Sequence, residues 1–172
     1  MKKAVLIPTG DEVKAGVVLD TNSPALMELI LEQFPRAVVI REEPVIDDLG
    51  EITSAIKRYM DSDLILVIGG SGGGSSYDQA LAVDVTHAVL EDLLEQPEIK
   101  EIFGYNGHLW SRLVIGKYKT AIVANVPGPM VEAVAAARVI IRGLAAGEDL
   151  CQISVAVAEA VMEQYPKRGQ ER

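Results

Sequence analysis

The chain has 172 residues, about the length of one domain, with 49% apolar but only 5% aromatic residues, so Ala, Val, Ile and Leu must pack its core. A formal net charge of −9 argues against binding nucleic acid or an anionic membrane by long-range attraction. The one cysteine, Cys151, excludes an internal disulfide framework, and neither His87 nor His108 has a His or Cys at metal-ligand spacing.

Taken in order, "KAVLIP" (3–8), "AVVIREE" (37–43), "DLILVIG" (63–69) and "TAIVANV" (120–126) read as strands. The third and fourth are apolar nearly throughout, as expected of strands buried on both faces of a parallel sheet. Between and after them come helical patterns. Residues 24–34 place Leu26, Leu29 and Ile30 on one face, and residues 49–60 do the same with Ile52, Ala55, Ile56 and Tyr59. Further helices are expected over 81–96, over 130–147 with Gly147 as its end, and over 150–165. The fold expected is α/β, a doubly wound, mostly parallel sheet flanked by helices, forming a single domain over 1–165. A polar tail follows at 166–172, expected to lack order. The N-terminal "MKKAVLIPTGDE" fits a signal peptide poorly, and no apolar stretch reaches the roughly 18 residues of a membrane span, so a cytoplasmic protein is expected.

In an open parallel sheet, ligands bind beyond the carboxyl ends of the strands. Each unusual stretch of this sequence falls at such an end. "TGDE" (9–12) follows the first strand, "IDD" (46–48) the second, "GGSGGGSS" (69–76) the third and "NVPGP" (125–129) the fourth. The third stretch belongs to "VIGGSGGGSSYDQ" (67–79), whose five glycines would cost backbone entropy unless something approaches the backbone closely. With the N-terminus of a helix near residue 81, its amides could hold phosphate without a basic side chain. It is neither a Walker loop nor a complete Gly-x-Gly-x-x-Gly fingerprint. Plainer roles stand beside these. Asp20, Thr21, Asn22 and Ser23 could cap the helix near Pro24, and Asp47 and Asp48 could complement a helix dipole. Arg112, Lys117 and Lys119 read as a solvated surface turn, and His108 as a loop residue.

The stretches "TGDEVKAGVVLDTNSPAL" (9–26), "DD" (47–48), "GGSG" (69–72), "SR" (111–112) and "NVPGP" (125–129) stand in the order of a known family. Together they resemble the molybdopterin-binding domain of molybdenum-cofactor biosynthesis, shared by molybdopterin adenylyltransferases and their relatives. Competence-damage-type proteins and molybdopterin molybdotransferases carry related domains. The resemblance implies molybdopterin and ATP as substrates, magnesium as the assisting cation, and transfer of AMP to the pterin's terminal phosphate. On the matching positions it implies Asp47 as a magnesium-linked or substrate-orienting acid. Gly69, Gly70, Ser71 and Gly72 would hold phosphate or pterin, with Gly10, Asp11, Asp20, Asn22, Ser111, Pro127 and Gly128 as further binding residues.

The sequence departs from the adenylyltransferase pattern after the glycines. There an Asp at a fixed short interval is followed by Val-Thr-Pro-Glu; here Asp78 stands one place late and precedes "QALAV", while "DVT" recurs at Asp84, Val85 and Thr86. Proximity to the strand end favours Asp78 as the second catalytic acid, with Asp84 as the alternative. A binding module without catalysis and a competence-damage-like nucleotide hydrolase remain alternatives. The apolar C-terminal segment and the Ala-rich 133–137 stretch suggest a homo-oligomer, the resemblance favours a trimer, and other cofactor-biosynthesis proteins are conceivable partners.

Overall fold

The computed structural model describes residues 1–72, 84–104 and 107–165. Its elements run β1 (Lys3–Pro8), α1 (Asp11–Lys14), α2 (Asn22–Gln33), β2 (Val38–Arg41), α3 (Leu49–Arg58), β3 (Leu64–Ile68), α4 (Thr86–Leu93), β4 (Glu95–Phe103), β5 (Leu109–Tyr118), β6 (Ala121–Val126), α5 (Met130–Ala146) and α6 (Leu150–Met162). Among the described residues one sheet of six strands has the order β2-β1-β3-β6-β5-β4. The β2-β1-β3-β6 half is parallel; β5 pairs antiparallel with β6, and β4 antiparallel with β5.

Strand periodicity divides the core in two. Ala4, Leu6, Leu64 and Leu66 point to the face covered by α2, α5 and α6, whereas Val5, Ile7, Ile65 and Val67 point to α3 and α4. Every residue of β3 is buried, which accounts for its unbroken apolar sequence. Ala133, Ala136 and Ala137 are fully buried, so the small side chains of α5 serve close packing within the domain. Local chemistry fixes the helix ends. Asp48 caps α3 by accepting from the Gly50 and Glu51 amides, and Asp149 and Gln152 form a capping box on α6. Gly147 ends α5 at φ 77°.

The expected four-strand sheet is thus extended by an antiparallel β4–β5 pair. The helix expected over 81–96 begins, among the described residues, at Thr86 and yields to β4 at Glu95. Pro97 and the positive φ of Gln96 stop the helical pattern, and the register shift between Glu95 and Glu98 absorbs the change. Arg112 and Lys117 lie on β5 rather than in a surface turn; only Lys119 occupies the turn, at φ 55°. Arg112 instead ties β5 to its neighbours through ion pairs with Glu91 of α4 and Glu101 of β4. The glycine-rich stretch beyond Gly72, Asp78 and the 166–172 tail lie outside the described residues.

Candidate functional site

The carboxyl ends of β1, β3 and β6 open onto a cavity of about 550 Å³. Thr9 and Gly10 continue β1, Gly69 to Gly72 continue β3, and Pro127 to Pro129 lead from β6 into α5; all line it, as does Asp47 beyond β2. Asn125 does not line the cavity but fixes the strand that does. This buried side chain donates to the Arg112 carbonyl at 3.0 Å and accepts from the Val114 amide at 2.7 Å. It thereby satisfies β5 backbone where the β5–β6 ladder has stopped, so the start of β5 swings over the cavity and delivers Trp110 and Ser111.

Two glycines need their lack of a side chain. Gly69 has φ 110°, and a Cβ there would lie 2.8 Å from Thr9 Oγ1; Gly70 has φ 61°, and a Cβ would overlap the Thr86 hydroxyl. The close approach that sequence attributes to a ligand is therefore, at these positions, an approach to Thr9 and Thr86. The Gly69 amide donates to the Val126 carbonyl and the Gly10 amide to the Val45 carbonyl. Neither is available to a phosphate, which corrects the expectation that the Gly69 amide holds one. Gly70, Ser71 and Gly72 line the cavity, and the Ser71 carbonyl accepts from the Arg112 amide at 2.6 Å, binding this loop to β5.

The acids sort into two kinds. Asp20 is structural: its side chain is only 6% exposed, pairs with Arg41 at 2.8 Å and accepts from the Ser23 amide at 2.9 Å. Burial opposes its charge, but the hydrogen bonds from Ser23 and Arg41 win and hold it below the usual carboxylate range. Asp47 is the reverse. Its pKa is pushed up to about 6, first by burial and then by the negative charges of Asp11, Asp84 and Glu12. Its Oδ1 is buried with no hydrogen-bond partner among the described residues, while Asp48, next in sequence, takes the capping role. Asp11 does not line the cavity but accepts from the Asp47 amide at 3.2 Å. Asp84 does line it, two residues before α4.

Asn22 and Gly128 meet directly, the Asn22 side-chain Nδ2 donating to the Gly128 carbonyl at 2.7 Å and so joining the start of α2 to the turn before α5. Ser111 Oγ lies 3.0 Å from the Tyr165 hydroxyl, which donates to Glu132 Oε2 at 3.2 Å. The Tyr165 and Trp110 ring centroids are 4.3 Å apart. Burial foremost pushes the Tyr165 hydroxyl up to about 12, and burial also raises Glu132. Glu12, Trp110, Glu132 and Tyr165 line the cavity, yet sequence reasoning missed them. For Trp110 a signal existed, since it adjoins the "SR" stretch; Glu132 and Tyr165 stand in ordinary helical sequence.

None of the described residues lining the cavity is Lys, Arg or His, whereas Glu12, Asp20, Asp47, Asp84 and Glu132 are acids. An unpartnered carboxylate oxygen beside further carboxylates suits a hard divalent cation such as magnesium. Among the described residues no three potential ligands are grouped to hold a metal alone.

Residues 5–146 match the family described as "Probable molybdopterin binding domain". The chain belongs to this family. A CinA-like protein of Fervidobacterium nodosum is 32% identical over 102 residues, covering 59% of this chain and 24% of the relative. The chain thus spans about a quarter or less of the length of the curated relatives it matches. Among solved structures, the molybdopterin biosynthesis Mog protein of Mycobacterium ulcerans superposes with TM-score 0.63 at 21% identity, covering 89% of this chain and 99% of that one. The CinA protein of Thermoplasma acidophilum, whose function is unknown, gives TM-score 0.55 at 20% identity over 75% and 89% of the two chains. At these identities the likeness establishes the fold: the parallel core and its antiparallel extension are those of the molybdopterin-binding domain family.

Proposed function

We propose that this domain binds molybdopterin in the cavity at the strand ends and serves molybdenum-cofactor biosynthesis by adenylylating the pterin with ATP. The observation that carries the catalytic part is Asp47, buried at the rim with an unpartnered oxygen and a pKa raised to about 6 among three other acids. In a cavity whose described lining offers no cationic side chain, a polyphosphate needs its charge balanced from elsewhere. Magnesium, when bound, supplies that balance and lowers the cost of the charge dispersed over the transferring phosphoryl group. Asp47 and Asp84 would hold it. An oxygen of the pterin's phosphate forms the new bond to the α-phosphorus of ATP as the bond to the bridging oxygen breaks and pyrophosphate leaves. Ser71, the start of β5 and the turn at Pro127 to Pro129 would orient the reactants.

The test is calorimetric titration of the protein with molybdopterin, followed by ATP and magnesium with detection of pyrophosphate. Binding and pyrophosphate release are expected, with Asp47→Asn reducing turnover by about two orders of magnitude or more while pterin affinity changes little. Binding without pyrophosphate would leave a non-catalytic pterin module. The CinA-like relatives favour one other reading, a nucleotide-processing hydrolase. Hydrolysis of a nucleotide with no pterin present would select it.

A further inference from the structure

The aromatic end of the cavity plays no part in the chemistry around Asp47. It contains a carboxylate, two rings and a hydroxyl, drawn from β5, the first turn of α5 and the residues after α6. We propose that Glu132 is a specificity-determining residue that reads the edge of the ligand's ring, accepting from two adjacent N–H donors such as a 2-amino-4-oxopyrimidine presents. The proposal rests on the cavity's binding a pterin and names what that site selects.

Three observations carry it. First, an ionised carboxylate is an acceptor with room for about four hydrogen bonds. Glu132 receives one from a protein donor among the described residues, at Oε2 from Tyr165, and no described cationic residue lines the cavity to fill the rest. Second, the Glu132 carboxyl is raised by burial in spite of that bond, so among the described residues the donors to its charged form do not offset its desolvation. Third, flat apolar surface stands beside it. Trp110 and Tyr165 are packed against each other at the cavity wall, and Gly104 leaves room for the indole, since a Cβ there would lie 2.6 Å from Trp110 Nε1. A ring against an aromatic wall with its edge at a carboxylate is a familiar way to hold a heterocycle.

The two oxygens of Glu132 are both acceptors, which makes the selection sharp. A 2-amino-4-oxo ring offers N3–H and the 2-amino group side by side, two donors for two acceptors. Its 2-oxo counterpart offers one donor and one acceptor, so one oxygen would face one oxygen. An adenine edge is mismatched in the same way. Glu132→Gln reverses the pattern, because a carboxamide presents one acceptor and one donor.

Pterin and guanine share the donor pair, and separate arms of one experiment distinguish them. Wild type and Glu132→Gln are titrated with pterin and with lumazine, its 2-oxo counterpart, and in parallel with GMP and XMP. Calorimetry gives affinity, and quenching of Trp110, the only tryptophan in the chain, reports occupation of this end. Circular dichroism checks that the variant is folded. Wild type is expected to prefer pterin over lumazine by about tenfold to a hundredfold, and Glu132→Gln to abolish or invert that preference. The same inversion with GMP and XMP, without pteridine binding, would keep the role of Glu132 while refuting the pterin assignment. An unchanged pterin-to-lumazine ratio in the folded variant would overturn the proposal and leave pterin binding standing. Binding of none of the four ligands to wild type would refute both.

Discussion

The acid end of the cavity is made from loops that directly follow β1, β2 and β3, whereas its aromatic end combines β5, α5 and the last described residues of the chain. Their electrostatics differ as much as their origins. At Asp47, burial and then the charges of Asp11, Asp84 and Glu12 raise one carboxylate, and no described basic residue is among the cavity lining. At Glu132 one carboxylate shares a hydrogen-bond chain with Tyr165 and Ser111. A strained and repulsive end suits a ligand that arrives with its own cation; a connected and partly apolar end suits a neutral ring. One cavity can therefore hold the charged and the uncharged parts of a single molecule.

The loop end is broken most severely at Gly70. Gly70→Val would force a side chain into positive φ and against Thr86, whose Cβ would lie 2.8 Å away, so a loss of about 3 kcal/mol or more is expected in urea unfolding. Gly128→Ala is the control. That glycine also lines the cavity, but an added Cβ would meet nothing within 4 Å, so the midpoint should stay put. Equal midpoints for Gly70→Val and wild type would show that the loop does not hold the contact with Thr86.

A smaller effect is expected at the other end. Gly104→Ala should displace the indole of Trp110 at a cost of about 2 kcal/mol and shift the tryptophan emission. Ring binding should weaken while phosphate binding persists. If phosphate and ring affinities fall together, the two ends of the cavity do not act separately.

The smallest effect concerns Asp47 and pH. Its folded pKa of about 6 lies above the ordinary aspartate value near 4, so the folded state binds the proton more tightly than the unfolded chain does. Stability associated with this group is present below about pH 4 and is lost as pH rises through about 6. Asp47→Asn should flatten that decline and make the protein slightly more stable at neutral pH. Parallel slopes for wild type and variant in denaturation at pH 4, 5, 6 and 7 would refute the assignment.

The order of strands and helices was legible wherever burial was complete. β3 and β6 read as apolar runs because both their faces are covered, and β1 to β3 place their loops at one rim because they run parallel. That made "TGDE", Asp47 and the Gly69 to Gly72 stretch visible as one site. The β4–β5 pair was not legible. β4 is an edge strand carrying Glu95, Glu98, Lys100 and Glu101, so its sequence lacks the apolar alternation that marks a covered strand.

Sequence by itself determined the family fold, the rim where the strand ends meet, and the acids and glycines that follow each strand, because these properties are written in contiguous residues. Only tertiary structure decided what each of them does. It withdrew the Gly10 and Gly69 amides into the fold, gave Asp20 to Arg41 and Asp48 to a helix cap, and left one carboxylate oxygen of Asp47, Oδ1, without a partner among the described residues. It also brought Trp110, Glu132 and Tyr165 to one wall, through an antiparallel turn of the sheet and the packing of α6 on α5. A residue's burial and its hydrogen-bond partners come mostly from chain segments far away in sequence, and no local pattern encodes them.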